Sequence, residues 1–150
     1  MLVKFSLISP TFDRPEEVRE FIASAAAQSY DRSDFEVLLA DGTPKDGLRS
    51  TVETTSNASG LPVVFLHEDY LPVSDARNLA AHHAQGDYLI FLDSDCLLPA
   101  DYLEQVAKGL ETHGWDAFGG PDAAPADFSP LQKAISFSMT SFWTTGGIRG

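Results

Sequence analysis

Cysteine occurs once in this chain of 150 residues, as Cys96. A lone thiol closes no internal disulfide and cannot build a thiolate zinc site. It stands beside Asp93 and Asp95, whose charge disfavours a thiolate, so it reads as a packing residue. Basic residues are scarce too: 10 Lys and Arg face 22 Asp and Glu, for a net charge of −12. That balance excludes a nucleic-acid scaffold, which needs a basic face. It also makes casual cation binding easy, so metal affinity alone would prove little. No stretch approaches the roughly 18 apolar residues of a membrane span. Met1-Leu2-Val3-Lys4 leads into a strand and not into a charged and then apolar leader. These absences fit a reducing cytoplasm, with a place at the inner face of the membrane left open. Repeats and low-complexity tracts are missing as well.

What is present suits one globular domain. Hydrophobic residues make up 43% and charged residues 21%, ordinary values for a packed core at this length. Phe5-Ser6-Leu7-Ile8-Ser9 reads as a strand stopped by Pro10. Pro15 opens a helix, with Glu16 and Glu17 at the positive end of its dipole. Val18, Phe21, Ile22 and Ala25 form its apolar stripe. Phe35 to Ala40 is a second strand ending in Asp41-Gly42, Leu48 to Ser56 a helix rich in Thr and Ser, and Val63 to Leu66 a third strand. Ser74 is placed as N-cap of a helix from Asp75 to Gln85, with Gly86 to end it. After the next strand, Pro99 opens a helix over Asp101 to His113, with Leu103, Val106, Ala107 and Leu110 on one face. Ala117 to Pro121 reads as a short strand and turn, and Phe128 to Phe142 as a helix. Strand and helix alternate, so the expected fold is a doubly wound, mostly parallel α/β sheet flanked by helices.

The most informative stretch is Asp87-Tyr88-Leu89-Ile90-Phe91-Leu92-Asp93-Ser94-Asp95-Cys96. Five apolar or aromatic residues make a buried parallel strand that runs directly into two acids. Paired anions a few ångströms apart repel and resist desolvation. Mg²⁺ or Mn²⁺ removes that cost, because it prefers carboxylate oxygens and is usually shared with substrate phosphates. In an open α/β sheet the ligand crevice lies outside the carboxyl ends of the strands, where these acids fall. The plainer alternative is that Asp93 caps a turn and Asp95 is merely solvated.

Other strands deliver polar residues to the same edge. The first brings Thr11, Phe12 and Asp13, and the second Asp41. Phe12 could stack on a base, or pack in the core. Asp41 could accept a hydrogen bond from a base imide or a ribose hydroxyl, or simply close a turn. Arg77 is expected in the first turn of its helix, where a cation opposes the dipole and wants an anion: a phosphate, or a carboxylate neighbour. Of the histidines, His82 and His83 are adjacent and cannot share a metal as i, i+4 ligands do, while His67 and His113 have no partner by spacing. None is assigned to chemistry.

Four ordered blocks, Ser9-Pro10-Thr11-Phe12-Asp13-Arg14-Pro15, Leu39-Ala40-Asp41-Gly42-Thr43, Asp75-Ala76-Arg77-Asn78 and Phe91-Leu92-Asp93-Ser94-Asp95, resemble the successive blocks of family 2 glycosyltransferases. The resemblance implies a GT-A fold and an inverting transfer of a sugar from a nucleoside diphosphate donor, UDP-linked, to an acceptor hydroxyl on a saccharide, lipid or protein. It implies that Pro10, Thr11, Phe12 and Asp41 hold the nucleobase, and that Arg77 holds the nucleotide. Asp93 would meet the ribose or a metal-bound water, and Asp95 would ligate Mg²⁺ or Mn²⁺. Residues 1–120 would form the donor-binding domain, and residues 121–150 the incomplete start of an acceptor-binding region, in a fold truncated at its C-terminus. Two positions depart from the pattern: Asp13 replaces the usual Asn, and Ala40-Asp41-Gly42-Thr43 replaces Asp-Asp-Gly-Ser. The family's general base normally lies well downstream of the acid pair, and here it is expected beyond Gly150. Asp122 is the nearby acid that could stand in for it. Two other readings compete. A phosphatase of the haloacid dehalogenase type also has an apolar strand ending in Asp-x-Asp, though near its N-terminus, and a non-catalytic nucleotide-binding module would need no base.

Overall fold

The computed structural model describes residues 5–119 and 129–140. Four strands, β1 (Phe5–Thr11), β2 (Phe35–Asp41), β3 (Val63–His67) and β4 (Tyr88–Phe91), form one sheet in the order β3-β2-β1-β4. All three pairings are parallel, with Phe5 opposite both Phe35 and Tyr88. The helices are α1 (Pro15–Ala26), α2 (Arg49–Ser59), α3 (Val73–His83), α4 (Tyr102–His113) and α5 (Pro130–Thr140). The chain divides after His113 into two compact units.

Every residue of β1 is buried, as a central strand covered on both faces requires. Side chains alternate across a strand, so Phe5 and Leu7 pack with Val37 and Leu39 against Val18, Phe21 and Ile22 of α1, Val52 of α2, and Leu103 and Leu110 of α4. Ile8, Leu38 and Ala40 point the other way, against Ala76 and Ala80 of α3. Helices therefore cover both faces of β1 and β2, and the expected doubly wound α/β sheet forms. β4 is not the buried strand expected: it lies at the sheet's edge, with Leu89 41% and Phe91 49% exposed. The first three strands step outward from β1 to β3, and β4 then returns to the opposite flank of β1. The strand order reverses between β1 and β4, which opens a crevice at their carboxyl ends.

Several expectations need correction. Pro10 does not stop β1, which continues through Thr11. Ile8 O accepts from Leu92 N at 2.9 Å on the β4 side. Backbone groups alternate sides along a strand, so the N–H that Pro10 lacks would also face β4, beyond the last pair, Ile8 with Phe91. Ser74 is not an N-cap: α3 begins at Val73 after Pro72, which has extended backbone and makes no side-chain cap bond. The fixed φ of Pro72 starts the helix early, and Ser74 falls inside the first turn. Arg77 consequently lies two residues further in than expected, in the second turn. Ala84, not Gly86, is the C-cap of α3. Gly86 is needed for room, since a Cβ there would sit 2.7 Å from both Ser6 N and Ser6 Oγ. Residues 117–119 form no strand, and the rest of that expected element lies outside the described residues.

The second unit contributes α5. Ser129 N donates to Gln132 Oε1 at 2.9 Å, and Gln132 N donates back to Ser129 Oγ at 3.4 Å. With Pro130 as first helical residue, this is a capping box that the sequence carried in plain view.

Candidate active site

Three loops meet at the carboxyl edge of β1, β2 and β4. Outside β1 and β4 lies a cavity of about 400 Å³ lined by Pro10, Thr11, Phe12, Arg14, Glu17, Val73, Asp93, Ser94 and Asp95. Five of the sequence-predicted residues, Pro10, Thr11, Phe12, Asp93 and Asp95, are thus brought together at the switch point of the sheet.

Phe12 is 49% exposed, so it is not a core residue. Its ring stands at the cavity because the backbone turns sharply after it: Asp13 has φ 50°, in the left-handed region. Asn and Asp are the non-glycine residues that most readily adopt that conformation, which explains why Asp13 serves where the family pattern has Asn. Asp13 N donates to Thr43 Oγ1 at 2.7 Å, tying this loop to the one after β2. Thr11 is buried, and its Oγ1 has no hydrogen-bond partner among the described residues.

Asp41 does not line the cavity. It is fully buried beneath the loops, and its Oδ1 accepts from Thr43 N at 3.1 Å and from Thr43 Oγ1 at 2.6 Å. Its backbone neighbours are also committed: Gly42 N donates to Thr11 O at 3.0 Å, and Tyr70 N donates to Gly42 O at 2.8 Å. His67 Nε2 lies 2.7 Å from Thr43 O. A carbonyl only accepts, so that ring nitrogen carries the proton.

Arg77 also stands outside the cavity lining, but it reaches the acid pair. Its Nη2 donates to Asp93 Oδ1 at 2.7 Å, with both side chains well exposed. The carboxylate alternative for Arg77 is therefore realised, and its partner is one of the candidate site acids. Among the described residues no group of three or more His, Cys, Asp or Glu gathers to hold a metal. Asp93 and Asp95 nonetheless suit Mg²⁺ or Mn²⁺, which typically takes one or two carboxylates and completes its shell with water and substrate phosphates.

Three further residues escaped the sequence reading. Arg14 and Glu17 line the cavity and pair with each other at 3.1 Å. The Glu17 carboxyl is held below its ordinary pKa, first by a backbone hydrogen bond at the start of α1 and then by Arg14. The i, i+3 spacing was the available signal. Gln28 had none. Its buried amide donates to Pro99 O at 2.7 Å and accepts from Leu103 N at 3.1 Å, so it caps α4 and anchors the loop that carries the acid pair. Asp122, the stand-in for the general base, lies outside the described residues. So does Gly150, beyond which the base itself is expected.

Solved structures share this architecture. S. aureus TarS 1-349 in complex with UDP-GlcNAc superposes with a TM-score of 0.68 at 28% identity, covering 85% of this chain and 37% of that one. The mannosyltransferase PcManGT from Pyrobaculum calidifontis, in complex with GDP-Man and Mn²⁺, gives 0.70 at 24% identity over 85% of this chain and 37% of its own, a likeness of fold. The fold is that of a GT-A glycosyltransferase. The chain belongs to glycosyl transferase family 2, whose family model matches residues 6–147. Among relatives, the poly(ribitol-phosphate) beta-N-acetylglucosaminyltransferase TarS of Staphylococcus aureus is 30% identical over 115 residues, 77% of this chain and 20% of that protein. The chain therefore spans only a fifth of that relative's length. Family membership displaces the phosphatase reading, and the acid pair following the fourth strand agrees with that. No helix among the described residues is long and apolar enough to cross a membrane.

Proposed function

We propose that this chain carries the donor-binding site of a glycosyltransferase that moves a sugar from a nucleoside diphosphate to an acceptor hydroxyl. The observation that carries this reading is the convergence of Thr11 and Phe12 with Asp93 and Asp95 on one cavity at the switch point between β1 and β4. Phe12 offers an exposed ring to a base, Asp41 lies buried at the end of β2, and Arg77 offers a guanidinium to the diphosphate. Asp93 and Asp95 would hold Mg²⁺ or Mn²⁺. The chemistry a bound divalent cation supplies is neutralisation of the departing diphosphate.

In the reaction the acceptor oxygen forms its bond to the anomeric carbon as the bond to the diphosphate breaks. The acceptor proton passes to a general base. A residue beyond Gly150 is proposed for that role, with Asp122 as the stand-in within this chain. Inversion is what the family resemblance implies. UDP is the proposed nucleotide, supported by the UDP-GlcNAc of the solved TarS complex. The acceptor hydroxyl belongs to a saccharide, a lipid or a protein. Residues 1–120 are proposed as the donor domain, with residues 121–150 starting the acceptor region. The cytoplasm is the proposed location, with the inner face of the membrane as the alternative.

Calorimetry tests the reading. UDP binding in Mn²⁺ should weaken about tenfold or more on chelation, and equally in Asp95→Ala with its melting temperature unchanged. Equal affinity with and without chelator would remove the metal from the proposal. An absence of UDP, GDP and nucleotide-sugar binding would defeat it entirely.

A further inference from the structure

We propose that Thr43 is a positioning residue for the donor nucleoside, acting through Asp41 and Asp13. This assignment rests on the nucleotide-site reading above and assigns the nucleoside end of that site a residue which need not touch the ligand.

A threonine hydroxyl has one proton to donate and two lone pairs to accept with. Thr43 is buried, and its hydroxyl donates to Asp41 Oδ1 at 2.6 Å while accepting from Asp13 N at 2.7 Å. Its backbone N–H adds a bond to the same Asp41 oxygen at 3.1 Å. On the other side its carbonyl accepts from His67 Nε2 at 2.7 Å, which fixes the residue to the end of β3. Thr43 is therefore the node at which the loops after β1, β2 and β3 are tied together.

The two groups it holds stand behind the nucleoside end of the cavity: Asp41, buried at the end of β2, and Asp13, next in the chain to Phe12. Donation to Oδ1 fixes the rotation of the Asp41 carboxylate at the end of β2. Acceptance from Asp13 N secures a residue at φ 50°, a conformation that an L-residue leaves readily unless the surroundings hold it. Phe12, half-exposed on the cavity, is the next residue back along the chain. A shift of the Asp13 peptide therefore swings the Phe12 ring. One hydroxyl thus holds the buried carboxylate beneath the site and the turn that presents the aromatic ring to the cavity. The diphosphate end of the site, with Arg77, Asp93 and Asp95, is outside its reach.

That asymmetry gives the test. Thr43→Val keeps the shape and removes the hydroxyl, whereas Thr43→Ser keeps the hydroxyl and removes a methyl. Binding of UDP and of inorganic pyrophosphate, each with Mn²⁺, is measured by calorimetry beside a thermal melt. The Val variant should bind UDP about tenfold or more weakly, with pyrophosphate affinity within about twofold, and the Ser variant should recover UDP binding. Should Thr43→Val not fold, Thr43→Cys carries the same comparison, with a smaller loss expected from its weak S–H donor. Unchanged UDP affinity, or a parallel fall of UDP and pyrophosphate, would overturn the assignment while leaving the nucleotide site standing. A wild-type chain that binds no UDP would defeat the nucleotide-site reading itself, and this assignment with it.

Discussion

Arg77 Nη2 lies 2.7 Å from Asp93 Oδ1, so the guanidinium that α3 sends to the site rests on one of its two acids. Both side chains are substantially exposed, at 40% and 66%, and a pair in that setting contributes about 0–1 kcal/mol to stability. The pair is better understood as an exchangeable contact. A bound diphosphate offers Arg77 more oxygens than Asp93 does, and its arrival would leave Asp93 to other partners.

Arg77→Gln should therefore leave the melting temperature nearly unchanged and weaken Mn²⁺-dependent pyrophosphate binding by about 1.5–3 kcal/mol. UDP binding should fall by a similar amount, since the loss is at the phosphate end. Calorimetry with both ligands checks this. An Arg77→Gln chain that kept full pyrophosphate affinity would assign the guanidinium to structure alone.

Phe12→Ala separates the two ends of the site from the opposite side. The ring is half-exposed, so its removal should alter stability by less than about 0.5 kcal/mol. Loss of stacking should cost UDP about 1–3 kcal/mol of affinity and pyrophosphate almost nothing. Equal losses for both ligands would mean that Phe12 supports the cavity wall and does not meet the base.

Gly42→Ala and Gly86→Ala form a matched pair at opposite edges of the sheet. A Cβ on Gly42 would lie 2.6 Å from Leu71 O, and one on Gly86 2.7 Å from Ser6 N, both backbone atoms. Each substitution should destabilise by about 1–3 kcal/mol through overpacking. Only Gly42→Ala should also weaken UDP binding, because Gly42 sits between Phe12 and Asp41, whereas Gly86 precedes β4 at the far edge. Thermal melts and calorimetry on both variants provide the comparison, and equal UDP affinity in the two would contradict it.

Much of the molecule was readable from one dimension. The alternation of apolar strands with helical stripes such as Val18, Phe21, Ile22 and Ala25 determines a parallel sheet covered on both faces, because those side chains have only one direction in which to escape water. The meeting of the acids after β4 with Thr11-Phe12 at the end of β1 on one edge was legible, since parallel strands deliver their carboxyl ends together. The capping box of Ser129 and Gln132 was carried by the local sequence too, although the helix was expected from Phe128 and starts at Pro130. Other facts depended on distance in three dimensions. The strand order decides that β4 lies beside β1 and not beside β3, and only that adjacency puts Asp93 on the same cavity as Phe12. Pro10 survives inside β1 because β4 happens to end two residues earlier, which no local propensity encodes. Gln28 meets Leu103 across 75 positions, and Thr43 meets Asp13 across 30. Hydrogen bonds between such distant residues leave no periodic trace, because periodicity records which face of one element is buried and not what lies across from it.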